Sequence, residues 1–230
     1  EGLKRLVNAY PDFLLSAEEN KRIWKDGTRM VWDDGVEKDF DAMLDSPDLE
    51  DQMSIPYPGT NIIPPHNHDP GRLRYEPFFH KMYGWTRKEI ESKLVTIRWL
   101  PATENRLLSV TSVNGVDKKL AAVSRELDAL PPSLKAYVTE PAGTFAWRTI
   151  AGTNRLSPHC FGIAIDINTK NAHYWVWDKP DSHGMYRYKN RIPAEIVSIF
   201  EKHGFIWGGR WYHYDTMHFE YRPELISPDE

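Results

Sequence analysis

The chain has 230 residues, a net charge of -4, 40% hydrophobic and 27% charged residues. This is the balance of a globular protein long enough to bury a sizeable core, and it lacks the basic excess of a nucleic-acid binder, so no nucleic-acid partner is expected. No apolar run reaches the roughly eighteen residues of a membrane span, and the single cysteine, Cys160, excludes an internal disulfide framework.

The first residues, "EGLKRLVNAYPDF", carry no apolar core of the kind found in signal peptides. Residues 1 to about 70 are acidic and dense in turn formers, as in "WDDGVEKDFDAMLDSPDLEDQ" and "IPYPGTNIIPPHNHDPG". Residues 1–94 are therefore read as a loop-rich elaboration packed on a catalytic core of residues 95–230. Beyond Val95, "VTIRWL" and "LLSVTSV" read as two short strands of a hairpin around the polar "PATENR", with a turn at Asn114 and Gly115. Val116, Leu120, Val123, Leu127 and Leu130 recur at helical spacing until Pro131 and Pro132 stop the pattern. "IPAEIVSIFEKHG" is the clearest helix, with Pro193 at its start, Ile196, Ile199 and Phe200 on one face, and Gly204 at its end. "FIWGG" and "MHFEYR" then read as strands. Helices with a small, mostly antiparallel sheet predict an α+β fold in which that sheet carries the site.

In "RLSPHCFGIAIDIN", His159 and Asp166 flank an apolar run. On one straight strand their side chains would lie roughly 23 Å apart on opposite faces. A bend at Gly162, which lacks a Cβ, would bring His159 back over "IAIDI", where Ala164, Asp166 and Asn168 share the face opposite Ile163, Ile165 and Ile167. A second histidine joins this pair in "WGGRWYHYDTMHFEYRPEL", where Asp215 precedes His218 by three positions and Glu220 follows it by two. Catalytic zinc commonly takes three ligands from His, Asp or Glu and keeps a fourth position open, while a further carboxylate acts as base. His159, Asp166 and His218 fit the ligand roles, leaving Asp215 or Glu220 as base; such a set also accepts other divalent metals.

The signatures S-x-H-x-x-G-x-A-x-D in "SPHCFGIAID" and D-x-x-H-F-E in "DTMHFE" resemble those of the bacterial cell-wall zinc peptidases that include D-alanyl-D-alanine carboxypeptidases and L-alanyl-D-glutamate endopeptidases. The resemblance covers about Gly143 to Leu225, including "FAWRTIAGT" and "HGFIWGGRW". Several bacterial members are also similar around "DLEDQ" and "PFFHKMYGW", a part to which no chemistry is attached. The resemblance implies zinc held by His159, Asp166 and His218, with Asp215 as the catalytic base in a place where some members carry glutamate. It further implies that Arg148 stabilises the oxyanion. A peptidoglycan stem peptide is then the substrate, and the protein works in the periplasm or outside the cell, with a signal segment removed. The resemblance leaves the bond open, with carboxypeptidase action on D-Ala-D-Ala ends slightly ahead. Oligomeric state is not legible.

The remaining candidates have less specific patterns. Ser157 is read as orienting the metal site or touching substrate, with a loop hydrogen bond as the alternative. Glu220, on the same strand face as His218, is a partner for an imidazole N–H and ranks behind Asp215 as base. His213 is expected at the surface, although it can line the pocket. His66, His68 and Asp69 in "HNHDP" are expected to be solvated and not a second metal site. Trp147, Trp175, Trp177, Trp207 and Trp211 wall a cleft or fill the core. Arg148 and Arg155 are the two cations available to a substrate carboxylate.

Overall fold

A computed structural model describes residues 2–18, 20–59 and 62–226. The N-terminal part is more ordered than its turn-rich composition implies. Helix α1 (Gly2–Ala9) leads into a three-stranded antiparallel meander, β1 (Leu14–Glu18), β2 (Lys21–Trp24) and β3 (Arg29–Val31). Two short helices follow, α2 (Phe40–Asp45) and α3 (Leu49–Ser54), and the aspartates that made the stretch look like loop start them. Asp39 Oδ1 accepts from the Ala42 amide, and Asp48 and Asp51 form a reciprocal capping box on α3. The acidic character of this region is therefore partly the signature of helix starts.

Two more helices, α4 (Glu76–Tyr83) and α5 (Arg87–Glu91), precede the hairpin of β4 (Leu94–Trp99) and β5 (Arg106–Thr111). Its register runs from Leu94 opposite Thr111 to Trp99 opposite Arg106. Ile97, Trp99, Leu108 and Val110 alternate into the core, where α6 (Val116–Asp128) presents Val116, Leu120, Val123 and Leu127. Asn114 and Gly115, both at positive φ, do not close the hairpin but turn the chain from β5 into α6. The short helix α7 (Pro132–Lys135) begins at the two prolines.

The last three strands form the antiparallel sheet on which the site stands, in the order β6 (Ala164–Asp166), β8 (His218–Tyr221), β7 (Phe205–Trp207). Helix α8 (Ala194–Lys202) buries Ile196, Val197 and Phe200, and the Phe200 ring stacks 3.8 Å from that of Phe219 on β8. Small antiparallel sheets flanked by helices make the architecture α+β, as the sequence pattern implies. One buried cluster contains Tyr10, Trp24, Phe78 and Phe79 together with Phe161, Ile163 and Phe219. The N-terminal elements thus share their core with the sheet that carries the site.

Candidate metal centre

Strand register brings two of the three histidine and acid candidates together. Asp166 on β6 lies directly opposite His218 on β8, and side chains at facing antiparallel positions project to the same side with Cβ atoms about 5 Å apart. His159 arrives by a different device. Ser157 caps a 3-10 turn over Pro158–Phe161 by accepting from the His159 amide at 3.4 Å, and Gly162 ends it at φ 69. A side chain at Gly162 would be strained by that conformation and would also come within 2.8 Å of Leu94 and 3.0 Å of the Thr111 backbone nitrogen. The bend expected at this glycine is the one observed, and it folds His159 over β6.

The tautomers follow from the partners. His159 Nδ1 lies 2.5 Å from the Thr144 carbonyl, which can only accept, so the ring proton is on Nδ1 and the lone pair on Nε2. That Nε2 is buried without a hydrogen-bond partner, yet it lies 3.2 Å from Asp166 Oδ1. Asp166 Oδ1 is in turn 3.0 Å from His218 Nδ1. His218 Nε2 lies 2.9 Å from Glu220 Oε2, so in the neutral ring the proton sits on Nε2 and Nδ1 is free to ligate. Each of the three residues offers a ligand atom within 4.8 Å of the others. Three close-set donors with an orphaned imidazole nitrogen fit a divalent cation, and two imidazoles with one carboxylate suit zinc.

Asp215 completes the cluster. Its amide donates to the Gly208 carbonyl at 3.0 Å, its carbonyl accepts from the His218 amide at 3.1 Å, and its Oδ1 is buried with no partner. Burial first, and then the neighbouring Asp166 carboxylate, push its carboxyl up to about 7. Glu220 is the opposite case. Burial would raise its pKa, but Arg74, His218 and Arg222 surround it and hold it well below the usual carboxylate range. Arg74 reaches it through Nε at 3.1 Å and Nη2 at 2.5 Å, and Arg222 Nη1 through 2.9 Å. Glu220 is thus a fixed charge that orients His218, whereas Asp215 keeps an unused oxygen beside the ligand atoms.

His159, Asp166, Asp215 and His218 line a cavity of about 310 Å³. Arg148 and Ser157 open on it as well, and the Arg148 guanidinium has no ion-pair partner among the described residues. The backbone of Arg148 is pinned instead, its carbonyl accepting from the Cys160 thiol at 2.9 Å and the Ser157 amide at 3.1 Å. Cys160 is buried, as its neighbours imply. Trp175, Trp177 and Trp211 wall the cavity, while Trp207 is core and Trp147 packs against it. The glycines of "WGGRW" do not line the groove: a Cβ on Gly208 would meet the Asp215 carbonyl at 2.5 Å and one on Gly209 the Trp207 ring at 2.1 Å. Arg155 lies outside the cavity, against Asp45 and the Leu44 carbonyl.

Two expectations fail here. His213 lines the cavity and is only partly exposed, and Asp69 of "HNHDP" is fully buried and holds it, with Oδ2 2.6 Å from His213 Nδ1. His66 remains exposed, and His66 and His68 converge with no acid into a metal-binding group among the described residues. Arg72 and Arg74, also at the cavity, were not singled out. The available signal was "GRLR", two arginines one residue apart directly after the Asp69–Pro70 pair.

A family model described as D-alanyl-D-alanine carboxypeptidase matches residues 151–221, which span His159, Asp166, Asp215 and His218. No curated protein and no solved structure matches the chain.

Proposed function

We propose that this chain, whose residues 151–221 match the D-alanyl-D-alanine carboxypeptidase family model, is a zinc-dependent peptidase of peptidoglycan stem peptides that favours release of the terminal D-alanine. The observation that carries this reading is the pair of buried, unpartnered atoms, His159 Nε2 and Asp215 Oδ1, beside Asp166 and His218. An orphaned imidazole nitrogen and an orphaned carboxylate oxygen each carry a desolvation cost of about 1–3 kcal/mol. A cation bound by His159, Asp166 and His218, with a water for Asp215, would satisfy both. Zinc in such a site polarises a carbonyl and makes water more acidic.

The roles of the chain's own groups follow. Asp215 accepts the proton of the attacking water on Oδ1 and returns it to the leaving amine. Arg148, with no ion-pair partner among the described residues and its backbone pinned, stabilises the negative charge that develops on the peptide oxygen. Glu220 holds His218 in the ligating tautomer, and Ser157 fixes the turn that presents His159. Trp175, Trp177 and Trp211 bury the apolar part of the peptide. The substrate places the protein in the periplasm or outside the cell.

The test is to offer a muropeptide pentapeptide and the corresponding tetrapeptide to zinc-loaded protein and to weigh the products. Release of one D-alanine from the pentapeptide alone supports the reading. Cleavage between L-alanine and D-glutamate in both substrates replaces it with an endopeptidase acting through the same residues. Cleavage of neither means a zinc-containing wall-binding module without turnover.

A further inference from the structure

Asp69, Arg72 and His213 form a built cluster on the cavity wall that the roles above leave unused. Asp69 is fully buried. It accepts from the His213 amide at 3.0 Å, contacts His213 Nδ1 at 2.6 Å, and receives Arg72 Nη1 at 2.5 Å. One buried carboxylate therefore orients two cavity-lining groups, a guanidinium and an imidazole. Beyond Asp69, the Arg72 guanidinium makes no hydrogen bond among the described residues, and His213 Nε2 has no partner among them. Both side chains line the cavity.

The charges on that wall select the ligand. Arg74 spends Nε and Nη2 on Glu220 and Nη1 on the Arg72 carbonyl, whereas Arg72 gives only Nη1 to Asp69; Asp166 belongs to the metal cluster, and Asp215 lines the same cavity. The cationic donors left to a ligand are Arg72 and Arg148, and the cavity's carboxylates are both taken up by the metal cluster and the base role. Arg72 is close enough for its charge to act on both Asp215 and Tyr174. Trp175 packs edge-on against the His213 ring at 4.7 Å, which fixes the imidazole plane. A planar guanidinium held in a fixed place by a buried carboxylate, with N–H groups to spare, is the donor pattern that takes a second carboxylate.

We propose that Arg72, held on Asp69 beside His213, forms a subsite for a peptide carboxylate next to the scissile bond. The inference rests on the peptidase reading for its substrate, but not for its binding chemistry. The carboxylate can be the chain terminus or that of an internal acidic residue, and the two are separable. It also gives the N-terminal segment a role in specificity, since Asp69 and Arg72 both come from it.

The experiment compares kcat/KM of zinc-loaded protein for three peptides: the stem pentapeptide, the same peptide with its C-terminus amidated, and the same peptide with its internal acidic residue amidated. Wild-type protein is expected to lose about tenfold to a hundredfold on one of the two amidations, the magnitude of a charge-assisted pair, mostly in KM. Arg72→Gln is expected to lose a similar factor on the free peptide and little on the sensitive amide, so that the discrimination collapses while zinc content stays at the wild-type level. His213→Gln, which leaves the Arg72–Asp69 pair in place, is expected to reduce the discrimination in part and guards against a folding defect in the first variant. Sensitivity to the terminal amide assigns the terminus, and sensitivity to the internal amide assigns the acidic residue. Indifference to both amidations, or undiminished discrimination in Arg72→Gln, overturns the subsite. If no peptide is cleaved, the peptidase reading falls, and calorimetric binding of the same three peptides decides the subsite. Carboxylate-dependent affinity lost in Arg72→Gln sustains it, and equal affinities end it.

Discussion

Each residue of the cluster can be tested by a quantity that its neighbours would not move. His159→Ala, Asp166→Ala and His218→Ala each remove a ligand and are expected to lose most of about one bound zinc per chain, read by elemental analysis; full zinc in any variant removes that residue from the set. Asp215→Asn keeps the three ligands and removes only the proton acceptor, so metal content should hold while kcat falls by about a hundredfold or more. Glu220→Gln should cost less turnover, because Glu220 acts through His218. Asp69 gives a pH test away from the metal. Burial would raise its carboxyl, but the His213 hydrogen bond and the Arg72 charge outweigh that and depress it. A carboxyl depressed in the folded state contributes stability above its unfolded pKa, near 3.9, and that contribution is lost as pH falls through the folded value. The wild type should therefore lose melting temperature below about pH 4 more steeply than Asp69→Asn; parallel acid limbs would show that Asp69 contributes nothing. At this scale spacing and chemistry mark Ser157, His159, Asp166, Asp215 and His218, which the structure gathers on one cavity. The same local reading puts Asp69 in solvent and passes over Arg72, because what buries Asp69 is a contact with His213 across a sequence separation of about 140 residues, which no local pattern encodes.

Among the elements, the turn over Pro158–Phe161 and strand β8 do most of the positioning. Gly162→Ala forces a side chain into φ 69 against Leu94 and the Thr111 amide, a conflict expected to cost about 1–3 kcal/mol. In a protein of this size that is a fall of roughly 2–10 °C in Tm, and because the same turn carries His159, zinc affinity should fall with it. A calorimetric scan with and without chelator separates the two effects: a Tm deficit that disappears in chelator would place the strain in the metal site alone and contradict the packing argument. The elements legible beforehand include those with a strong period or a proline boundary, α6, α8 and the β4–β5 hairpin, and the short apolar strands β7 and β8. On α8 the buried residues are Ile196, Val197 and Phe200, with Ile199 only half-buried, a shift of one position in the apolar face. The meander β1–β3 and the helices α2 and α3 were missed. Their strands have no sustained alternation, and the caps Asp39 and Asp48 are chemically the same as loop aspartates until the helix beside them is known.

Across the whole molecule, a buried polar chain ties the first helix to the metal-side histidine. The Tyr10 hydroxyl donates to Glu224 at 2.6 Å, Arg222 bridges Glu224 and Glu220 at 2.6 and 2.9 Å, and Glu220 meets His218 at 2.9 Å. Arg222 also donates to the Gly71 carbonyl at 2.9 Å and lies 5.0 Å from the Phe79 ring centroid. The N-terminal residues thus supply Tyr10, Gly71, Arg74 and Phe79 to groups that would otherwise be buried charges with too few partners, and such charges are costly. The composition shift along the chain marks this segment as different in character, but it gives no sign that the sheet depends on it. Two variants grade the dependence. Tyr10→Phe leaves one oxygen of Glu224 short of a donor and should cost about 1–2 kcal/mol in urea unfolding, with zinc content unchanged. Removing residues 1–94 also strips Phe79 and His80 from the Phe161 ring, to which they pack at 5.7 and 5.2 Å, and takes Arg74 from Glu220. The full chain is therefore expected to melt in one cooperative transition, and a chain of residues 95–230 to show none and to hold no stoichiometric zinc. A truncated chain that melts cooperatively with its metal bound would make residues 1–94 an appendage, and the coupling through Arg222 and Glu220 would then be a contact without consequence for folding.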